Sequence, residues 1–518
     1  MTSNYQQAQQ SFDLQQAAQR FLSGSVDALN ACYECCDRHA LPGQIALFWQ
    51  GKDGRKEQYT FRELQQRASQ FANFLKSQGV SKGDRVSGLL PRTPELIITI
   101  LAAWRIGAVY QPLFTAFGPK AIEHRLQLAQ SKLVVTDVGN RDKLNEVDGC
   151  PAIVTVTGAK GTGLYQGDYS FWAEVNRQSD QCELVMMNIQ DPFLLMFTSG
   201  TTGPAKPLQV PLKALIAFGA YMQDAIGLRA EDSFWNIADP GWAYGLYYGI
   251  TGPLLLGHPT IFYEGAFTAD SLCQIVQDYG VNNLAGAPTA YRMMMAADPA
   301  QMAPLKGQFR VVSSAGEPLN PEVIRWFKQF LDAPIYDHYG QTEVGMVVCN
   351  HHGLSHEIRA GAAGFPSPGY RVAVVNEQGE ELPPDTAGIL AVDISQSPMM
   401  WFGGYKESRK SPFVGNYYLT GDTAELHSDG SMSFVGRSDD VITTSGYRIG
   451  PFDVESALLE HDAVIEAAVI GVPDPDRTEL VKAFVILAAG VQSTVALAEE
   501  LSQFVKKRLS AHAYPRLV

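Results

Sequence analysis

The run Phe197-Thr-Ser-Gly-Thr-Thr-Gly-Pro-Ala-Lys-Pro207 places the hydroxyls of Thr198, Ser199, Thr201 and Thr202 and the glycines Gly200 and Gly203 ahead of Lys206. Residues this small let backbone N–H groups and hydroxyls converge on phosphate oxygens, and the lysine adds positive charge. An apolar, strand-like stretch from Phe193 to Phe197 leads into the run, so nucleotide binding is the natural reading. The pattern is not a Walker A loop, which ends Gly-Lys-Ser/Thr, because Lys206 is followed by Pro207. A flexible Ser/Thr/Gly surface loop is the competing interpretation.

Two other clusters invite chemistry. Cys32, Cys35 and Cys36 with His39 suggest a metal site, but no second cysteine pair follows at finger-like spacing, and packing of a helix is the better reading. His351, His352 and His356 near Cys349 fit no common four-ligand zinc pattern, and solvated loops often carry such residues.

The elements that position the loop follow from periodicity. Asp13 to Ala40 reads as helical, and Gln44 to Trp49 with Gln58 to Phe61 as a hairpin. Helix Leu64 to Gln78, strand Arg85 to Leu90, helix Pro94 to Ile106 and strand Val109 to Leu113 then alternate. The alternation returns from Ala121 to Val138 and from Leu215 to Ala290, which predicts mostly parallel sheets with ligands at strand C-terminal ends. Gly361 to Phe434 reads as short strands and turns. Beyond the polar stretch Arg437 to Asp440 come helix Val454 to Leu459, strands Ile465 to Val472 and Lys482 to Leu487, and helix Leu497 to Leu509.

The expected fold is α/β. A large N-terminal domain of mostly parallel βα layers plus a small β-rich unit spans 1–436, and a small mobile α/β C-terminal domain spans 437–518. The 518 residues are 46% hydrophobic and 18% charged, a globular composition. A net charge of -14 argues against a bulk electrostatic grip on nucleic acid. No apolar run reaches membrane-spanning length, no secretory signal is visible, and the odd cysteine count suits a reducing cytoplasm.

Five blocks together carry a resemblance: Phe197 to Pro207, Ser313-Ser-Ala-Gly-Glu-Pro-Leu-Asn320, Asp337-His-Tyr-Gly-Gln-Thr-Glu343, Tyr418 to Leu426, and Gly436 to Glu455. In this order they resemble the motifs of the acyl-adenylate-forming superfamily, nearest its acyl-CoA synthetase branch. The resemblance implies that a carboxylic acid and ATP form an acyl-adenylate and pyrophosphate, and that coenzyme A then takes the acyl group and releases AMP.

By the same resemblance, Thr198 to Gly203 and Lys206 hold the pyrophosphate portion, Thr342 reaches the α-phosphate and Glu343 places Mg²⁺. Gly316, Glu317 and Pro318 face Tyr339 across the adenine, with Asp337, Gly340 and Gln341 in the same nucleotide segment. Asp422 takes the ribose hydroxyls, seconded by Arg437. Asp439 matches the hinge about which the small domain turns between half-reactions, and Gly446 and Arg448 face coenzyme A. Asp422 as a plain turn residue and Gly446 as a turn glycine stay open.

Trp242, Ala243, Tyr244, Ala315 and Gly340 would line the acyl pocket. Acetyl-CoA synthetases carry a tryptophan at the position of Gly340, so a roomier pocket for short- to medium-chain acids is expected, and Gly340→Trp would shift preference toward acetate. Tyr244 complicates that, and Gly241 to Gly249 reads equally as a buried aromatic packing run. The family's closing Pro-Lys-Thr-x-Ser-Gly-Lys segment is not met before Val518. The expectation is slowed adenylation with thioester formation retained. Adenylation for a carrier protein, luciferase-like oxidation and a nucleotide-binding protein without full turnover are the competing functions.

Overall fold

A computed structural model of the chain describes residues 3–157, 162–198, 205–359, 361–405, 411–438, 440–444, 447–474, 478–509 and 513–518. Two mainly parallel sheets form the large domain, as the alternation predicts. In the first, seven strands run in the order Lys206–Pro211, Pro192–Thr198, Val109–Pro112, Arg85–Leu89, Leu133–Asp137, Ala152–Val156 and Tyr169–Ser170. Only Lys206–Pro211 is antiparallel to its neighbour. In the second, Phe234–Asn236, Asn283–Gly286, Val311–Ala315 and Ile335–Gln341 run parallel, and Gly345–Cys349 and Phe365–Pro366 extend it antiparallel. Thr198, Ala315 and Gln341 are the last residues of their strands, at the end where such sheets bind ligands.

The helices follow from capping and from apolar stripes. Phe61–Ser77 opens with a capping box in which the Thr60 hydroxyl accepts from the Glu63 amide at 3.1 Å and the Glu63 carboxylate accepts from the Thr60 amide at 2.8 Å. It buries Phe61, Leu64, Ala68, Phe71 and Leu75. Its partner Pro94–Arg105 is buried from Leu96 onward, which suits a helix that is apolar on every side.

The stretch Asp13 to Ala40 is not continuously helical. Leu14–Phe21 ends, the chain bridges Leu29 to Met187, and Asn30 starts Ala31–Cys35 by accepting from the Cys32 and Tyr33 amides. Asparagine is a strong N-cap, and that side-chain signal outweighs the helical periodicity around it. Cys32, Cys35 and Cys36 are buried, as the packing reading expects. His351 is buried and His352 half-buried, so they do not sit in a solvated loop; His352 stacks on Tyr336 at 4.1 Å. Among the described residues no group of three or more His, Cys, Asp or Glu side chains is placed to hold a metal.

The β-rich unit is an antiparallel sheet of Val372–Val375, Ala387–Asp393, Tyr417–Leu426 and Phe413–Val414, with Met432–Arg437 also paired to Tyr417–Leu426. Beyond it, Tyr447–Ile449, Ile442–Thr444, Thr478–Leu487 and Val464–Asp474 form an antiparallel sheet. With helices Pro451–Leu459 and Val495–Arg508 it encloses a separate hydrophobic cluster around Val454, Leu458, Val481 and Leu501. Among the described residues no helix is long and apolar enough to cross a membrane.

Candidate active site

Strand Pro192–Thr198 and its return Lys206–Pro211 bring Thr198 opposite Lys206 in register. Ser199, Gly200, Thr201, Thr202 and Gly203 lie outside the described residues. The Thr198 hydroxyl donates to Tyr405 Oη at 3.5 Å, Lys206 Nζ stands 5.3 Å from the centroid of the Tyr405 ring, and the Tyr405 hydroxyl donates to the Glu343 carboxylate. Glu343 is buried, which pushes its carboxyl above the usual range, while the Tyr405 hydrogen bond opposes that shift. The Thr342 carbonyl accepts from the Tyr247 hydroxyl at 3.1 Å. Thus Thr198, Lys206 and Glu343, on segments far apart in the chain, meet around one phenol.

A cleft of about 620 Å³ opens beside this cluster. Gly316, Glu317, Pro318, Asp337, Tyr339, Gly340, Gln341 and Asp422 line it together with Arg437 at the end of strand Met432–Arg437, and Phe452, Glu455 and Glu479 line it from the C-terminal α/β unit. Gly316 sits at φ +98°, a left-handed conformation that favours glycine, with open space where a side chain would stand. Glu317 is turned toward Arg292 at 3.1 Å.

Asp422 and Arg437 face each other on paired strands. Asp422 Oδ2 accepts from Tyr339 Oη at 2.5 Å and from Gln341 Nε2 at 2.7 Å. Gln341 is in turn held by the Thr420 carbonyl at 2.9 Å and by the Tyr418 hydroxyl at 2.9 Å. Burial and the neighbouring Asp422 keep the Tyr339 phenol protonated, so it remains a donor. The carboxylate plane is therefore fixed before any ligand arrives.

Deeper in the cleft, Asp337 Oδ2 accepts from the Leu319 amide at 3.3 Å, and burial pushes the carboxyl up to about 7. His338 is held neutral, pulled down to about 4 by burial; its Nδ1 lies 2.8 Å from the Tyr221 hydroxyl and its Nε2 3.1 Å from the Asn350 carbonyl. The carbonyl only accepts, so Nε2 carries the proton and Tyr221 donates to Nδ1.

The expected opening at Gly340 is not there. A Cβ on Gly340 would stand 2.3 Å from the Gly345 carbonyl oxygen and 2.7 Å from Met346 Cα, because the next strand folds back against this face. Gly340 admits the antiparallel pairing of its own hairpin, and Gly340→Trp cannot act as a simple pocket filler. The cleft lining includes Gly340 but not Trp242, Ala243, Tyr244 or Ala315. Trp242 is 39% exposed against Phe114 and Phe117, Ala243 and Tyr244 are half-buried, and Ala315 is buried in register with His338. Tyr247 and Tyr248 do behave as the aromatic packing run, Tyr247 stacking on Phe218 and Tyr248 lying tilted against Tyr221.

Asp439 and Gly446 lie outside the described residues. Arg448 pairs through its backbone with Thr443, and its side chain is outside them too. Sequence reasoning missed Tyr405, His338 and Tyr418. The latter two stand within quoted blocks, whereas Tyr405 has only the local Gly403-Gly404-Tyr405 context and no chemical pattern to mark it.

Residues 34–400 match the AMP-binding enzyme family, and residues 453–518 match the AMP-binding enzyme C-terminal domain. The chain belongs to the AMP-binding enzyme family. The enzyme is 39% identical to the acetyl-coenzyme A synthetase of Bacillus subtilis (strain 168), over 99% of this chain and 91% of that protein. It is 35% identical to the mitochondrial acyl-coenzyme A synthetase ACSM4 of Rattus norvegicus, over 92% of this chain and 83% of that one. Among solved structures, a Brucella canis acyl-CoA synthetase is 58% identical with a TM-score of 0.85, covering 99% of this chain and 94% of that one. A benzoate CoA ligase from Burkholderia xenovorans LB400 is 26% identical with a TM-score of 0.83, covering 94% and 95%. These likenesses support acyl-CoA synthetase activity, whose substrates are a carboxylic acid, ATP and coenzyme A.

Proposed function

We propose that the enzyme activates a short- to medium-chain carboxylic acid through an acyl-adenylate and passes the acyl group to coenzyme A. The carboxylate oxygen bonds to the α-phosphorus of ATP as the bond from that phosphorus to the bridging oxygen breaks, releasing pyrophosphate. The thiol sulfur of coenzyme A then bonds to the acyl carbon, AMP leaves with the former carboxylate oxygen, and the thiol proton passes to solvent.

The observation that carries this reading is the meeting of the Thr198, Lys206 and Glu343 cluster with a cleft whose Asp422 is already oriented by Tyr339 and Gln341. Asp422 and Arg437 would hold the ribose, since a carboxylate accepts from two vicinal hydroxyls. Adenine would lie between Tyr339 and the Gly316-Glu317-Pro318 turn, its amino group toward Asp337. Thr198 to Gly203, Lys206 and Thr342 would bind the phosphates, offsetting the repulsion between two reacting anions.

Glu343 fits a magnesium ion that arrives with the nucleotide, being a buried hard-oxygen donor beside the phosphate segment. Bound there, the ion would neutralise charge on the phosphates. The small domain, taken as 437–518, would turn at Asp439 and bring Gly446 and Arg448 to coenzyme A for the second half-reaction. All seven cysteines are unpaired, which supports placing the enzyme in the cytoplasm.

The test supplies ATP, Mg²⁺, coenzyme A and acids from acetate to decanoate, and identifies products by mass spectrometry, with a parallel arm fed synthetic acyl-adenylate. Acyl-CoA with AMP is expected. No acyl-CoA in either arm, or ADP in place of AMP, would sink the proposal.

A further inference from the structure

Tyr405 touches residues from all three segments at the phosphate end of the site. Its hydroxyl donates to Glu343 and accepts from Thr198 at 3.5 Å, and Lys206 Nζ lies 5.3 Å from its ring centroid. The ring is itself held, edge to face with Phe402 at 5.1 Å, and Phe402 packs in turn against Tyr418 at 5.4 Å. Phe402 is buried, so this support belongs to the main hydrophobic core.

These contacts answer two physical problems. A buried carboxylate such as Glu343 has several rotamers and pays for burial unless a donor meets it; a phenol hydroxyl supplies one strong bond and a direction. Lys206 is an exposed ammonium on a flexible stem, and the Tyr405 ring face attracts it without neutralising it. One side chain thus orients the Glu343 anion through its hydroxyl and attracts the Lys206 cation through its ring.

We propose that Tyr405 is a positioning residue for nucleotide activation: its hydroxyl orients Glu343 toward the magnesium ion that accompanies ATP, and its ring keeps Lys206 directed at the phosphates. The inference rests on the acyl-adenylate reading above and adds a residue that no block of the sequence marks.

Tyr405→Phe separates the two roles, because it deletes the hydroxyl and keeps the ring against Phe402; Tyr405→Leu removes both. ATP binding is measured by titration calorimetry on the full chain, once with Mg²⁺ and once with chelator, so that no turnover is needed. Wild type should bind ATP more tightly with the ion. Tyr405→Phe should keep its ion-free affinity within about twofold and lose about fivefold or more of the magnesium-dependent gain. Tyr405→Leu should in addition weaken ion-free binding by about threefold as Lys206 is released. A Tyr405→Phe protein that keeps the full magnesium gain, or that loses affinity equally in both conditions, overturns the inference alone. A wild-type chain that binds no ATP in either condition overturns the nucleotide reading along with it.

Discussion

Asp337 stands on the floor of the cleft with Oδ2 bonded by the Leu319 amide and Oδ1 buried without a hydrogen-bond partner among the described residues. A donor such as the exocyclic amino group of adenine would complete it. Because burial raises this carboxyl to about 7, it is mostly protonated at pH 6 and mostly ionised at pH 8, and an amino donor favours the ionised form. Adenosine, which has no titrating phosphate, should therefore bind about tenfold more tightly at pH 8 than at pH 6. Titration calorimetry across that range should also show a proton released on binding, and Asp337→Asn should flatten the profile. A slope that survives in the variant assigns the titration elsewhere. The identity of this residue was legible from its block, but its proton affinity was not, since that depends on how many atoms the rest of the fold packs around it. Gly340 makes the same point in reverse: a missing side chain reads as space, and here the adjoining strand had taken it.

At the scale of elements, the start of the large domain is pinned by a buried ion pair between Asp37, just after helix Ala31–Cys35, and Arg105, the last residue of helix Pro94–Arg105. The pair is 2.8 Å long with side chains 5% and 8% exposed, and Arg105 Nε also donates to the Cys182 carbonyl at 2.8 Å. Asp37→Ala strands the guanidinium charge in the interior and should cost about 3–5 kcal/mol, seen as a lower urea midpoint. Replacing both partners together, Asp37→Leu with Arg105→Met, should recover most of that loss, because no unpaired charge remains. Equal destabilisation by the single and double variants would show that the pair is not what holds these helices. Periodicity anticipated helix Pro94–Arg105 nearly to the residue, yet it ran one helix through Leu22 to Asn30. The break is held by the Asn30 cap and by pairing of Leu29 to Met187, and the second is a contact far along the chain that no local window contains.

The cleft proposed to hold the nucleotide is lined from both the large and the small domain, which touch where Asn320 Nδ2 donates to Ser456 Oγ at 3.0 Å. If the small domain turns between half-reactions, this contact belongs to one of the two arrangements. Asn320→Cys with Ser456→Cys, joined by a short bis-thiosulfonate crosslinker that forms a reducible disulfide to each thiol, should hold the arrangement described here. The joined protein should perform at most one half-reaction and regain the other on reduction, with crosslinker-treated wild type as the control for native thiols. Two unimpaired half-reactions in the joined protein would mean that no rotation at this contact is required.

The sequence by itself determined the α/β alternation, the order of the five blocks, the nucleotide chemistry and the family, because each depends on residue types at short spacing: glycines where backbone must approach phosphate, period-2 and period-3.6 apolar patterns, and capping residues. Only the tertiary structure decided that Tyr339 and Gln341 orient Asp422, that Gly340 has no room beside it, and that Tyr405 joins strand Pro192–Thr198 to Glu343. Those outcomes pair residues separated by 62 to 207 positions or depend on how strands pack face to face. Side-chain direction and local dielectric are properties of the assembled core, and they have no signature in any stretch of chain short enough to be read alone.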